Sequence, residues 1–170
     1  FELGLIRNHY VGRTFIEPSQ NIRSLGVKLK LNSTKTIVKN KSIILIDDSL
    51  VRGTTCHKIV KMLYESGAKE VHVRIACPEI RYPDFYGVDM PNKKELLANE
   101  KNNQEICEYI NAKTLKFLSL DGLYKALVGE KRNANFPQFS DHYFTGDYPI
   151  EPDDNLQGLK IKQLSLVSGK

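Results

Sequence analysis

The chain has 170 residues, 41% of them apolar and 26% charged, with a formal net charge of +5. This composition suits one globular domain with a sizeable core, and its longest apolar runs are strand-sized, which excludes a membrane-spanning helix and points to a soluble, cytoplasmic protein. The opening FELGLIRNHY lacks the layout of a secretory signal, and the start at Phe1 inside a strand-like run, without an initiator Met, suggests a piece of a longer polypeptide.

The charge is more informative by position than by size. Up to Lys41 eight basic residues, Arg13 among them, stand against only Glu2 and Glu17, so this end suits an anionic ligand. Nucleic acid is a poor candidate, because no stacking aromatics interleave a basic strand and no helix-turn-helix or zinc spacing occurs. Cys56, Cys77 and Cys107 lie far apart with no CxxC pair, which favours small apolar residues in a reducing compartment over metal ligation.

In chain order, residues 1–6 are strand-like, and residues 7–23 then lose all periodicity at Asn8, Gly12, Pro18 and Ser19. A loop of that length in a compact domain is either disordered or functional. RNHYVGRTFIEP mixes two arginines, Tyr10 and Gly12 with apolar Val11, Phe15 and Ile16, which fits a cover that shields a reacting centre while Arg13 meets an anion; a solvated surface loop fits the composition as well. Residues 27–31 alternate apolar and basic side chains, the period of a half-buried strand.

The central stretch is residues 42–55, SIILIDDSLVRGTT. Four aliphatics end abruptly in Asp47 and Asp48, and Gly53, Thr54 and Thr55 lead into a helix over 54–66 with apolar positions at Cys56, Ile59, Val60 and Leu63 and a glycine stop at Gly67. A strand at 71–77 follows, so the two strands are expected to be parallel with a right-handed crossover. Residues 78–91 are predicted loop with a short strand at 85–88. Helices are predicted from Asn92 through NKKELLANE and over 104–110, then a strand at 115–118 and a helix over 119–127 capped at Ser119 or Asp121. From Gly129 the sequence carries aromatics without a period, and residues 129–170 are expected to form an extended tail packed on another part of the whole protein.

At the carboxyl edge of a parallel sheet, a turn that feeds a helix presents backbone N–H groups suited to phosphate. Gly53 permits close approach, the Thr54 and Thr55 hydroxyls add donors, and the helix dipole favours negative charge. Asp47 and Asp48 cannot bind phosphate directly. They could accept hydrogen bonds from sugar hydroxyls or hold a hard cation such as Mg²⁺, which uses one or two carboxylates beside substrate oxygens; alternatively they cap the strand end and the turn. No lysine follows Gly53, which excludes a Walker A loop.

IILIDDSLVRGTT resembles the phosphoribosyl diphosphate (PRPP) motif of type I phosphoribosyltransferases, and its Arg-Gly-Thr-Thr version is similar to that of the amidophosphoribosyltransferases. ELGLIRNHYVGRTFIEPSQNIR resembles that family's flexible loop, PEIRYPDFYGVDMPNKKELLA the segment after its next strand, and FTGDYP a later motif. The resemblance implies an α/β fold: an incomplete type I phosphoribosyltransferase domain over 1–128, with flexible loop 7–31, PRPP motif 43–55 and a C-terminal tail over 129–170. It also implies transfer of the phosphoribosyl group of PRPP to ammonia derived from glutamine, the first step of purine synthesis.

On this reading Asp47 and Asp48 address the ribose hydroxyls and Mg²⁺, and Ser49 and Arg52 to Thr55 belong to the site that binds PRPP and its 5-phosphate. Tyr10, Gly12, Arg13 and Thr14 belong to the closing loop, with Tyr10 and Arg13 as catalytic candidates and Arg13 facing the diphosphate. The family's N-terminal glutaminase domain and the early strands of its core, with a metal-binding serine, are not in this sequence. Asp84 stands before FYG where iron-sulfur relatives carry a cysteine, and FPQFSDHY contains none, so no cluster is expected. Purine nucleotides as feedback inhibitors and a homo-oligomer are further implications. Two alternatives stay open: a non-catalytic regulatory domain that senses PRPP, and a phosphoribosyltransferase that accepts a nucleobase.

Overall fold

The computed structural model describes residues 1–7, 31–88, 92–135 and 138–150. Near the start, β1 (Leu5–Arg7) and β2 (Leu31–Ser33) pair antiparallel as a separate ribbon. The strand expected at 27–31 lies outside the described residues except for Leu31, the first residue of β2. One helical turn, α1 (Lys35–Val38), follows and buries Val38; the sequence pattern does not mark it.

Among the described residues the main sheet has three parallel strands in the order β3 (Ser42–Asp47), β4 (Glu70–Ile75), β5 (Thr114–Phe117). The crossover between β3 and β4 is α2 (Thr54–Glu65), whose Cys56, Ile59, Val60 and Leu63 are all buried. These side chains share one core with Leu45, Val71, Val73, Ile75 and Leu115 of the sheet. Each such aliphatic contributes about 1.5–3 kcal/mol on burial, which makes this helix–sheet contact the main stabilising feature. Gly67, at φ +93°, ends the helix in the left-handed region, and its N–H donates to the Tyr64 carbonyl at 2.9 Å.

Strand register places Asp47 opposite Ile75, and Ile75 opposite Phe117, so the carboxyl ends of all three strands finish level. The opposite face of β3 is open, with Ile44 64% and Ile46 69% exposed. Parallel sheets are ordinarily covered on both faces. Among the described residues β3 has a strand on one side only, an unpaired edge of the kind that promotes aggregation.

Beyond β4 the structure departs from the expected elements in two places. Residues 85–88 form no strand; the Asp84 carboxylate accepts the N–H groups of Tyr86 and Val88 at 2.9 and 2.6 Å and folds the segment into a turn. The helix expected from Asn92 is broken into a 3₁₀ turn (Lys93–Glu95) and α3 (Leu97–Glu100), because Leu96 between them is extended and fully buried. Next comes α4 (Asn103–Tyr109), which opens on a capping box in which Asn102 and Glu105 satisfy each other's backbone N–H. The next helix, α5 (Leu120–Val128), is capped by Ser119, which accepts from the Gly122 N–H at 3.1 Å.

The described part of the tail makes contacts within this domain. It contains one turn of helix, α6 (His142–Thr145), and packs back on this domain. The N–H groups of Arg81 and Tyr82 donate to the Tyr143 carbonyl at 2.9 and 3.1 Å, and the Tyr148 hydroxyl donates to the Pro83 carbonyl at 2.9 Å. His142 Nε2 lies 2.8 Å from Asp84 with both side chains buried. On the other side Asp141 accepts from the buried Tyr124 hydroxyl at 2.8 Å and from Arg132 at 2.5 Å. Aromatic and charged contacts hold this segment, which explains why it has no apolar period.

Candidate functional site

The carboxyl edge of the sheet brings Asp47, Asp48, Ser49, Arg52, Gly53, Thr54 and Thr55 into one turn between β3 and α2. Buried Leu50, 2% exposed, anchors this turn from below. Asp47 is half-buried and Asp48 exposed. The Asp48 N–H donates to Asp47 Oδ1 at 3.1 Å, and the Ser49 hydroxyl donates to Asp48 Oδ1 at 3.0 Å. The carboxylates therefore do shape the turn, but these contacts use one oxygen of each and leave the others for a ligand.

Burial pushes the Asp47 carboxyl above its usual range, the Asp48 N–H partly offsets this, and the neighbouring Asp48 charge adds to the rise. A group held that way is relieved by a cation or by hydroxyl donors. No group of three or more His, Cys, Asp and Glu side chains able to hold a metal occurs among the described residues. Two adjacent carboxylates nevertheless fit Mg²⁺, which keeps several waters and completes its shell with substrate oxygens.

At the helix start Gly53 sits at φ +70°, and the first intrahelical bond runs from the His57 N–H to the Gly53 carbonyl at 2.9 Å. Among the described residues no side chain caps this end. The amides of the first turn are thus available to an anion, and the Thr54 and Thr55 hydroxyls beside them are exposed. Gly53 is required twice over: a Cβ there would lie 2.6 Å from Leu97 Cδ2 and 3.0 Å from the Tyr109 ring, and its φ is left-handed. Gly53→Ala is expected to cost about 1–2 kcal/mol of stability and to weaken anion binding about tenfold by moving the turn, measured by thermal melts and by titration with PRPP. Unchanged binding would separate this turn from the ligand.

A second layer supports the turn. The Leu97 N–H donates to the Val51 carbonyl at 2.9 Å, His57 Nδ1 lies 2.9 Å from the Tyr109 carbonyl, and Arg52 Nε donates to Glu95 at 2.8 Å. Glu95, Leu97 and Tyr109 carry no sequence signal for this role, since their distance from the turn is closed only by tertiary packing. Arg52 is thus already engaged by a carboxylate. Tyr10, Gly12, Arg13 and Thr14 lie outside the described residues.

The likeness to known proteins is extensive. The chain is 53% identical to an amidophosphoribosyltransferase of Rhizobium etli over 169 residues, 97% of this chain and 34% of that protein. It is 51% identical to the chloroplastic amidophosphoribosyltransferase 1 of Arabidopsis thaliana, over 96% of this chain and 27% of that protein. Among solved structures, the glutamine PRPP amidotransferase from B. subtilis complexed with ADP and GMP superposes with a TM-score of 0.74 at 48% identity, covering 88% of this chain and 33% of that one. No protein-family model matches the chain.

A parallel sheet with helices around it, an acidic strand end and a glycine turn opening a helix define a type I phosphoribosyltransferase fold, present here in part. Within that class the chain is similar along nearly its whole length to amidophosphoribosyltransferases, with about half of its residues identical to theirs. It spans about a third of the length of the curated relatives it matches, between 27% and 34%.

Proposed function

We propose that the full-length protein is an amidophosphoribosyltransferase, which transfers the phosphoribosyl group of PRPP to ammonia derived from glutamine and so begins purine synthesis. The observation that carries this reading is the joining of Asp47 and Asp48 to the Gly53–Thr55 helix start at the level carboxyl edge of the sheet. The likeness of the chain to amidophosphoribosyltransferases supports it.

In this proposal the first-turn amides and hydroxyls of Thr54 and Thr55 hold the 5-phosphate at the helix N-terminus. Asp47 and Asp48 would orient the ribose hydroxyls and would hold Mg²⁺. Bound there, the cation would neutralise charge that gathers on the departing diphosphate. Residues 7–31 would close over the substrate, with Tyr10 and Arg13 at the diphosphate end, keeping water away from a cation-like sugar centre. Ammonia then attacks the anomeric carbon as diphosphate leaves. A glutaminase domain elsewhere in the polypeptide would supply the ammonia. Purine nucleotides as inhibitors, a homo-oligomeric assembly, a cytoplasmic location and the lack of an iron-sulfur cluster belong to the same proposal. No helix among the described residues is long and apolar enough to cross a membrane.

The test is release of diphosphate from PRPP by the full-length protein with ammonia and Mg²⁺. Turnover that depends on all three supports the enzyme; tight PRPP binding without ammonia-dependent turnover would replace it with the sensor. Arg13→Ala should lower turnover more than initial PRPP affinity, because a closing loop acts late in the reaction.

A further inference from the structure

We infer that Glu95 is a positioning residue for the phosphate turn, acting through Arg52; the inference rests on the reading of residues 42–55 as a PRPP site. Arg52 projects from that turn between Val51 and buried Gly53. Among the described residues its one hydrogen-bonded nitrogen is Nε, which donates to Glu95 Oε2 at 2.8 Å. The Nη1 and Nη2 edge is left free to donate to an anion, the geometry in which a guanidinium meets phosphate with two parallel bonds.

Glu95 is itself fixed to the turn by backbone. Its N–H donates to the Asn92 carbonyl at 2.7 Å, and two residues on, the Leu97 N–H donates to Val51, the neighbour of Arg52, at 2.9 Å. The Leu97 side chain lies against Gly53. The ion pair therefore bridges two segments already docked on each other. Both side chains are about half exposed, at 47% and 49%, so the pair adds little to stability. Its consequence is orientation: a long, flexible side chain is held by the nitrogen that a phosphate needs least.

Charge and orientation make opposite forecasts here. A carboxylate near an anion site repels the anion, so if Glu95 acted only by charge, removing it would tighten PRPP binding. If it positions Arg52, removing it weakens binding.

The experiment is steady-state kinetics of the full-length protein with PRPP as the varied substrate. Glu95→Ala is expected to raise the KM for PRPP about fivefold to tenfold with kcat within about twofold, the pattern of lost ground-state binding. Glu95→Gln, which keeps an acceptor for Nε without the charge, should restore KM to within about twofold of wild type. In an Arg52→Ala background Glu95→Ala should add nothing.

A lower or unchanged KM in Glu95→Ala, failure of Glu95→Gln to restore it, or additive losses in the double variant would overturn the inference. If Arg52→Ala is without effect while Asp47→Asn abolishes turnover, the inference falls and the PRPP site stands. If neither substitution changes PRPP turnover, the site itself is wrongly placed.

Discussion

Asp47→Asn in the full-length protein is expected to lower PRPP turnover by about 10²–10³-fold, the scale on which lost electrostatic stabilisation at a reacting centre is felt. The fold should survive. Asp47 closes β3, where burial and the adjacent Asp48 already work against its charge. Such a raised carboxyl contributes most when protonated, below its unfolded pKa, and that contribution is lost as pH rises through the folded value. At neutral pH the ionised group is therefore a liability to the empty site, and the neutral amide should leave the melting temperature unchanged or higher. Activity lost with stability retained is the mark of a group kept for its ligand. A stability loss parallel to the activity loss would mean that Asp47 serves the strand end alone. Asp48→Asn should show a comparable loss of turnover.

The largest stability effect is expected away from the site, at Asp141→Ala. Asp141 is 4% exposed and accepts from Tyr124 and Arg132, whose guanidinium also pairs with Asp147 at 2.5 Å. Burial alone would raise the Asp141 carboxyl, but Arg132 and the Tyr124 hydroxyl outweigh it and hold it below its ordinary range. Removing the carboxylate leaves a largely buried guanidinium with one partner at the protein surface, and breaking a pair of this kind costs about 3–5 kcal/mol. Denaturant unfolding monitored by tyrosine fluorescence would measure it. A cost under about 1 kcal/mol would mean that the pair behaves as a surface bridge.

The same network sets the response to acid. Asp84 is likewise held low: burial opposes its charge, and the Val88 N–H, His142 and the Tyr86 N–H more than compensate. For a carboxylate depressed in the folded state the stabilisation is present above its unfolded pKa and is lost as pH falls through the folded value. Wild type should therefore lose stability below about pH 4, and Asp141→Ala should lose less of it over that range.

The order of the main-sheet elements was legible because its physics is local and periodic. Four aliphatics ending in two acids specify a buried strand that stops at the sheet edge, and the Cys56, Ile59, Val60, Leu63 spacing specifies the face that α2 buries. Gly67 marks the end of that helix for a backbone reason that depends on no distant partner. The parallel pairing of β3 and β4 follows from the crossover. The broken helix at Leu96 was not legible, since NKKELLANE has good helical propensity and only tertiary packing pulls Leu96 inward. The turn at Asp84 was hidden for a similar reason, because one carboxylate captures two amides that a strand would otherwise use.

At the candidate site the residues of the turn were named by composition, while their supports were not. Glu95, Leu97 and Tyr109 are 40 or more residues away in sequence and reach the turn through tertiary contacts of the 3₁₀ turn, α3 and the end of α4 with Arg52, Gly53 and His57. The contacts of the described part of the tail were hidden for a different reason. Its aromatics and charges lack a period, yet Tyr124, Arg132, Asp141 and Asp147 pair specifically and fold it back on the domain.

The most direct measurement is a crystal structure of the full-length protein with Mg²⁺ and a non-reactive PRPP analogue. The 5-phosphate should lie on the amides at the start of α2, between Gly53 and Thr55, with the ribose hydroxyls on Asp47 and Asp48. An analogue bound elsewhere, or one that leaves the 42–55 turn empty at saturation, would contradict the assignment.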